Sequence, residues 1–202
     1  MAKDAESSSK DKKIVICISG MAGTGKSTLT KKLAEKYGLK CYSGGDVLKD
    51  FANEEGYNAS CQGWWESPEG LSFLDKRLND PKFDKAVDAK LMKYARQGNV
   101  LLDSWTMPWL LKEGFKIWLM ASLEKRAARV AERDKISVEE AFKVLKEKED
   151  RTKAIYKNLY GFALGEDFSP FDLVLDTDNL NADEVFEVLC RVISNVVLSA
   201  NS

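Results

Sequence analysis

The sequence contains no histidine. That absence removes Ser-His and Cys-His nucleophile pairs, any imidazole general base, and the usual nitrogen ligands of zinc. Cysteine is sparse as well: Cys17, Cys41, Cys61 and Cys190 are scattered without a CxxC pair, as expected for free thiols in a reducing compartment. No apolar run approaches membrane-spanning length, and "IVICIS" is too short for a signal-peptide core and leads into glycines. A soluble, cytoplasmic protein is therefore expected. Charge of one sign is missing too, since the formal net charge is -1, and neither nucleic acid nor an acidic membrane would be attracted by the average field. Chemistry must run on carboxylates, Lys, Arg, backbone dipoles and a metal ion.

What is present is ordinary globular material. With 202 residues, 44% hydrophobic and 31% charged, the chain can bury one core, and disorder is excluded for all but the ends. Residues 1–13, "MAKDAESSSKDKK", are polar and without periodicity, and are expected to form a flexible tail. From there, short β-branched runs alternate with longer helical patterns, the signature of an α/β domain with a mainly parallel sheet. Strands are expected at 13–19, 39–43, 99–103, 115–121 and 171–177. Helices are expected at 26–38, 46–56, 82–97, 122–134, about 137–160 and about 182–198, with 57–80 irregular and aromatic.

The first strand runs into "SGMAGTGKST", which holds Gly20-x-x-x-x-Gly25-Lys26-Ser27 between a strand and a helix. That is the P-loop pattern in its confirming context. Glycines let the backbone N–H groups of Gly20, Met21, Ala22, Gly23, Thr24 and Gly25 curl around phosphate oxygens, and the helix N-terminus adds its positive dipole end. Lys26 can bridge the transferable phosphates, Ser27 can ligate Mg²⁺, and Thr28 adds a first-turn donor. Asp103 ends the third apolar run, where a carboxylate can hold Mg²⁺; it can also cap a helix in "SWTMPWLL". Asp176, another strand-end acid, fits a turn or cap. In "SLEKRAARVAERD", Arg126, Arg129 and Arg133 share one helix face, either gripping polyphosphate or paired with Glu124 and Glu132. Lys148, Arg151 and Lys153 follow on the next helix.

The ordered blocks "GMAGTGKS", "YSGGDVLKDFA", "FDKAVDAKLMKYARQGNVLLD", "KIWLMASLEKRAARVAERDKIS" and "FDLVLDT" resemble those of nucleoside monophosphate kinases, most nearly the archaeal type of cytidylate kinase. The resemblance spans about 14–198. It implies a three-layer P-loop fold with a five-stranded parallel sheet, a mobile acceptor-binding subdomain around 44–97 and a short lid around 126–153. It further implies Mg²⁺ and ATP as donor, CMP (perhaps dCMP or UMP) as small-molecule acceptor, and a monomer or small homo-oligomer. Lys26, Arg129, Arg133 and Arg151 fall on catalytic positions, and Ser27 and Asp103 on metal positions. Gly45, Asp46, Lys49, Arg77, Asp84, Asp88 and Trp105 are the expected acceptor-site residues.

Two departures stand out: the family usually has arginine at Lys49 and at Trp105. Lys49 keeps the charge without the planar two-pronged grip, and Trp105 loses the charge. Trp105 is either a stacking platform for a base or the mark of a different acceptor, such as AMP or a non-nucleotide. A non-catalytic ATP-binding module is the reading from another class. The segment "CQGWWESPEG" (61–70) looks inserted, with Trp64 and Trp65 either an aromatic wall or a small satellite core.

Overall fold

The computed structural model describes residues 13–61 and 63–199. All of the expected tail except Lys13 lies outside the described residues. Five strands, β1 (Val15–Gly20), β2 (Lys40–Ser43), β3 (Val100–Asp103), β4 (Phe115–Met120) and β5 (Leu173–Asp176), form one sheet in the order β2-β3-β1-β4-β5. Every pairing is parallel. In β1 and β3 both faces are covered, which is why "VICIS" and "VLL" are continuous apolar runs rather than alternating ones.

Helices α1 (Lys26–Tyr37) and α8 (Ala182–Val192) close one face over Ile16, Ile18, Leu101 and Ile117. On the other face, α2 (Gly44–Glu54) and α4 (Lys82–Gln97) pack over Cys17, Val100 and Leu102. The long helices α6 (Leu123–Asp134) and α7 (Val138–Tyr160) pair with each other beside the P-loop. Ser122, Ser137 and Asn181 accept first-turn amides of α6, α7 and α8, and Gly38 ends α1 in the left-handed conformation. The strand order reverses beside β1, so the carboxyl ends of β1 and β3 open onto a crevice, the place where open α/β sheets bind ligands.

Three elements differ from the expected ones. The stretch 57–80 is not irregular throughout: a single 3₁₀ turn at Trp64–Glu66 leads into α3 (Pro68–Asn79). Ser67 caps α3 by accepting from the Gly70 amide, and Pro68 occupies its first turn. A Cβ at Gly70 would stand 2.1 Å from the Trp64 carbonyl oxygen, so the glycine that obscures the helical pattern lets the helix sit on the tryptophan turn. A further short helix, α5 (Met107–Leu110), follows β3. Its start is held by the Ser104 hydroxyl, which accepts from the Thr106 and Met107 amides, and Asp103 does not cap it. The terminal helix does not run regularly to 198, because residues Ile193–Leu198 continue α8 as a wider π turn. Among the described residues no helix is long and apolar enough to cross a membrane.

The arginine face of α6 divides. Arg126 is buried and ion-paired with Glu149 of α7. It also donates to the carbonyls of Ala121 (3.0 Å) and of Ala22 in the P-loop (3.1 Å). It is a tie between the P-loop and two helices and leaves no face for polyphosphate. Arg126→Ala should lower the unfolding free energy in urea at neutral pH by about 3–5 kcal/mol, because Glu149 would be left buried without its partner. The double substitution Arg126→Met, Glu149→Leu should recover most of that loss; a loss below about 1 kcal/mol for Arg126→Ala would contradict the assignment.

Candidate active site

The P-loop is built as its spacing requires. Gly20 and Gly23 take positive φ of 152° and 83°. A Cβ on Gly20 would meet the Leu119 carbonyl oxygen at 2.5 Å, and one on Gly23 would meet Arg126 at 3.0 Å. Both positions therefore need glycine for conformation and for space. Lys26 and Ser27 open α1, where the helix leaves its first amides unpaired. The Lys26 ammonium donates to the Met21 carbonyl at 3.3 Å, and burial pushes its pKa down.

Asp103 arrives opposite through the β1–β3 register, which sets it beside Ile18. Its carboxylate is buried and accepts from the Ser27 hydroxyl at 2.6 Å. Asp176, at the end of β5, accepts from the Asp178 amide at 2.9 Å and is a turn residue, as expected.

One cavity of about 530 Å³ extends from the P-loop to the helices of the opposite wall. Gly23, Gly25, Lys26, Ser27 and Thr28 line its phosphate end together with Ala22 and Asp103. Gly45, Asp46, Lys49, Arg77, Asp84, Asp88 and Trp105 line it too, so the structure brings together all the expected acceptor residues. Arg129 and Arg133 reach it from α6. Gly20, Met21, Thr24 and Arg151 are not among the lining residues. Arg151 instead bonds the Leu71 carbonyl at 3.1 Å and pairs with Asp75 at 2.9 Å and Glu147 at 2.5 Å.

The wall facing the P-loop is polar and its charged groups are buried. Arg77, 2% exposed, grips Asp84 with two bonds of 3.1 and 2.6 Å and donates to the Tyr156 hydroxyl at 3.3 Å. Asp88 accepts from Thr106 at 2.5 Å and from Tyr160. One turn apart on α4, the two acids are part of a buried network and not a solvated face.

Sequence reasoning did not find Thr106, Tyr156, Tyr160 or Glu66. The two tyrosines stand one turn apart on α7, a spacing also fully consistent with core packing. Glu66 carries no local signal at all, yet it is the center of a cluster. It accepts from Lys148 at 2.5 Å and from Arg133 at 3.1 Å, and the Lys148 ammonium lies 5.7 Å from the center of the Trp65 ring. Trp64 is buried against Tyr57 and Phe73, whereas Trp65 is half-buried, and both line the cavity. The Trp64–Glu66 turn thus supplies core, wall and countercharge together.

Burial pushes the Asp88 carboxyl up from the ordinary 3.8 to about 6, against the lowering effect of its Thr106 and Tyr160 hydrogen bonds. A raised folded-state value means that the folded chain holds a proton that the unfolded chain has released, so stability falls as pH rises through that window. Between about pH 4 and 6 the wild type should lose on the order of 1–3 kcal/mol relative to Asp88→Asn. Urea melts of both chains at several pH values check this, and parallel pH dependence would refute it.

Comparison with known proteins agrees with this geometry. The model of the cytidylate kinase-like family matches residues 15–179. A cytidylate kinase of Pyrococcus horikoshii is 36% identical over 185 residues, covering 91% of this chain and 90% of that protein. Another, of Pyrococcus furiosus, is 35% identical over 184 residues, covering 91% and 90%. Among solved structures, the shikimate kinase of Bacteroides thetaiotaomicron superposes with a TM-score of 0.53 at 14% identity, covering 90% of this chain and 96% of that one, a likeness of fold. With the family model spanning residues 15–179 and these relatives covering 91% of the chain, the chain belongs to the cytidylate kinase-like family and is a kinase of the nucleoside monophosphate class.

Proposed function

We propose that the chain transfers the γ-phosphoryl group of ATP to the α-phosphate of CMP, giving CDP and ADP. The observation that carries this reading is a single cavity with two different ends: a P-loop with Lys26, Ser27 and Asp103 at one, and the buried Arg77–Asp84 and Asp88 network at the other. The first end suits a polyphosphate donor. The second suits a base with an exocyclic amine, since carboxylates accept from the N4 amine of cytosine.

The Ser27 hydroxyl and the Asp103 carboxylate are hard oxygen donors held 2.6 Å apart, a set that fits Mg²⁺. When bound there, Mg²⁺ supplies charge neutralisation to the phosphate oxygens. The chain itself supplies the rest. P-loop amides and Lys26 hold the donor phosphates, and Lys49 is the cation available for the acceptor phosphate. Arg129 and Arg133 add positive charge where it develops during in-line transfer. Residues 44–97 would act as the acceptor subdomain and 126–153 as the lid, with Glu66 holding Arg133 and Lys148 until phosphate competes for them. No covalent enzyme intermediate is required.

A second reading has its own support. Arg77 is already bound to Asp84, and Trp105 carries no charge, so the acceptor phosphate is offered fewer cations than the family pattern supplies. That favours testing AMP and non-nucleotide hydroxyl acceptors beside CMP.

An acceptor panel with ATP and Mg²⁺, scored for ADP and for phosphorylated product, should give CMP the highest kcat/KM. Higher turnover with another acceptor would reassign the substrate, and no acceptor-dependent ADP release would remove the kinase reading. Lys26→Ala should lower kcat by well over a hundredfold, about the effect of losing one preorganised charge, with the melting temperature little changed. A fall of less than about tenfold would place the chemistry elsewhere. Arg133→Ala should lower kcat more than it weakens ATP binding, whereas Arg151→Ala, at a residue that does not line the cavity, should cost less than Arg133→Ala. The opposite ranking would move the catalytic face of the lid onto α7.

A further inference from the structure

Trp105 stands two residues beyond Asp103, between the P-loop and the acceptor wall. Its indole Nε1 donates to the Gly20 carbonyl at 2.6 Å. Gly20 is the last residue of β1 and the first of the P-loop, and its φ of 152° starts the curl that turns the following amides inward. The indole N–H is the only polar group of the side chain, so this bond fixes the ring's orientation from the donor side. The Lys26 ammonium lies over the ring, 5.4 Å from its center. The far side is set by Tyr156, whose ring meets the indole at 6.3 Å and 78°. Trp105 is half-buried and lines the cavity.

We propose that Trp105 is a positioning residue of the phosphate-donor site: its N–H fixes the first peptide of the P-loop and its face seats the Lys26 ammonium.

Each contact answers a physical need of that site. A glycine-rich loop gains its anion affinity from amides that are already pointed inward, and every peptide left free to rotate loses part of it. A clamp on the Gly20 carbonyl removes that freedom at the point where strand becomes loop. Lys26 ends a flexible four-carbon stem in a site where burial disfavours its charge. An aromatic face holds the ammonium by cation–π attraction without neutralising it, so the charge stays available to phosphate. A carboxylate in the same place would pair with it, and an arginine would repel it.

The inference rests on the reading of this P-loop as an ATP site. ATP dissociation constants measured by calorimetry, KM for ATP and for CMP, kcat and melting temperature should be compared for wild type, Trp105→Phe, Trp105→Leu and Trp105→Arg. Trp105→Phe keeps a ring and loses the N–H, and should weaken ATP binding by about 3- to 10-fold, the scale of one hydrogen bond. Trp105→Leu loses both contacts and should lower kcat/KM for ATP by about 10- to 100-fold. Trp105→Arg should fall at least as far as Trp105→Leu, because it sets a second cation beside Lys26. In Trp105→Phe, which keeps a ring beside Tyr156 of the acceptor wall, KM for CMP should stay within about threefold of wild type.

A rise in KM for CMP with unchanged ATP constants would overturn the inference in favour of base stacking. A gain of CMP kcat/KM in Trp105→Arg would overturn it in favour of a displaced phosphate-binding arginine. Equal behaviour of Trp105→Phe and Trp105→Leu, with losses that follow melting temperature, would reduce Trp105 to packing. Should Trp105→Leu or Trp105→Arg fail to fold, Trp105→Phe alone still decides between ATP-side and CMP-side loss. Wild-type ATP binding in the same titrations tests the ATP reading separately: a wild type that binds ATP beside variants that bind it equally well overturns only the role of Trp105.

Discussion

The parallel ladder between β1 and β3 is the constraint on which the site depends. It aligns Ile18 with Asp103, so one strand ends as a phosphate loop where its neighbour ends in a carboxylate. The Ser27–Asp103 hydrogen bond of 2.6 Å follows from that register. A slip of one residue would turn Asp103 to the other face of the sheet and separate the two oxygen donors. The ladder continues one step further, since the Ser104 amide bonds the Ile18 carbonyl, and that step sets Trp105 beside Gly20 and Thr106 beside Asp88. Four consecutive residues after Leu102 therefore reach Ser27, the start of α5, the Gly20 carbonyl and Asp88 in turn.

Burial decides which charges in and beside the cavity are structural. Arg77 and Arg126 are almost wholly covered and each has a carboxylate partner, so they hold helices in place. Arg133 is more open, and its pairing with Glu66 joins the Trp64–Glu66 turn to α6. Lys148 makes the corresponding bond from α7, and burial lowers its pKa, with Glu66 opposing that shift. A carboxylate shared by two cations resembles in charge the phosphate that a kinase lid receives. The Trp65 ring lies beside this cluster, with the Lys148 ammonium 5.7 Å from its center.

Much of this was legible locally. The P-loop could be read because its glycines, lysine and serine lie within eight residues, and the strand and helix on either side have unmixed patterns. Asp103 was readable as the polar end of an apolar run, and the paired acids Asp84 and Asp88 as a block with a known resemblance. What stayed hidden depends on contacts distant in sequence. Helical periodicity put Arg126, Arg129 and Arg133 on one face, but it could not say that Arg126 turns to Glu149 while Arg129 reaches the Thr177 carbonyl. Glu66 meets its partners 67 and 82 residues away, and no local pattern marks it. Helix α3 was lost because Pro68 and Gly70, both turn formers in isolation, serve as a helix start and a point of close packing. Trp105 could be seen as a departure, but only the structure joins it to Gly20 and Lys26.

The central claim is that one cavity holds ATP at the P-loop and a nucleoside monophosphate at the acid-lined wall, with direct transfer between them. Incubation with CMP and ATP labelled in its γ-phosphate tests this most directly. The account predicts label recovered in the β-phosphate of CDP, in step with ADP formed and with little release as inorganic phosphate. Label appearing as inorganic phosphate at the same rate with and without CMP would contradict it.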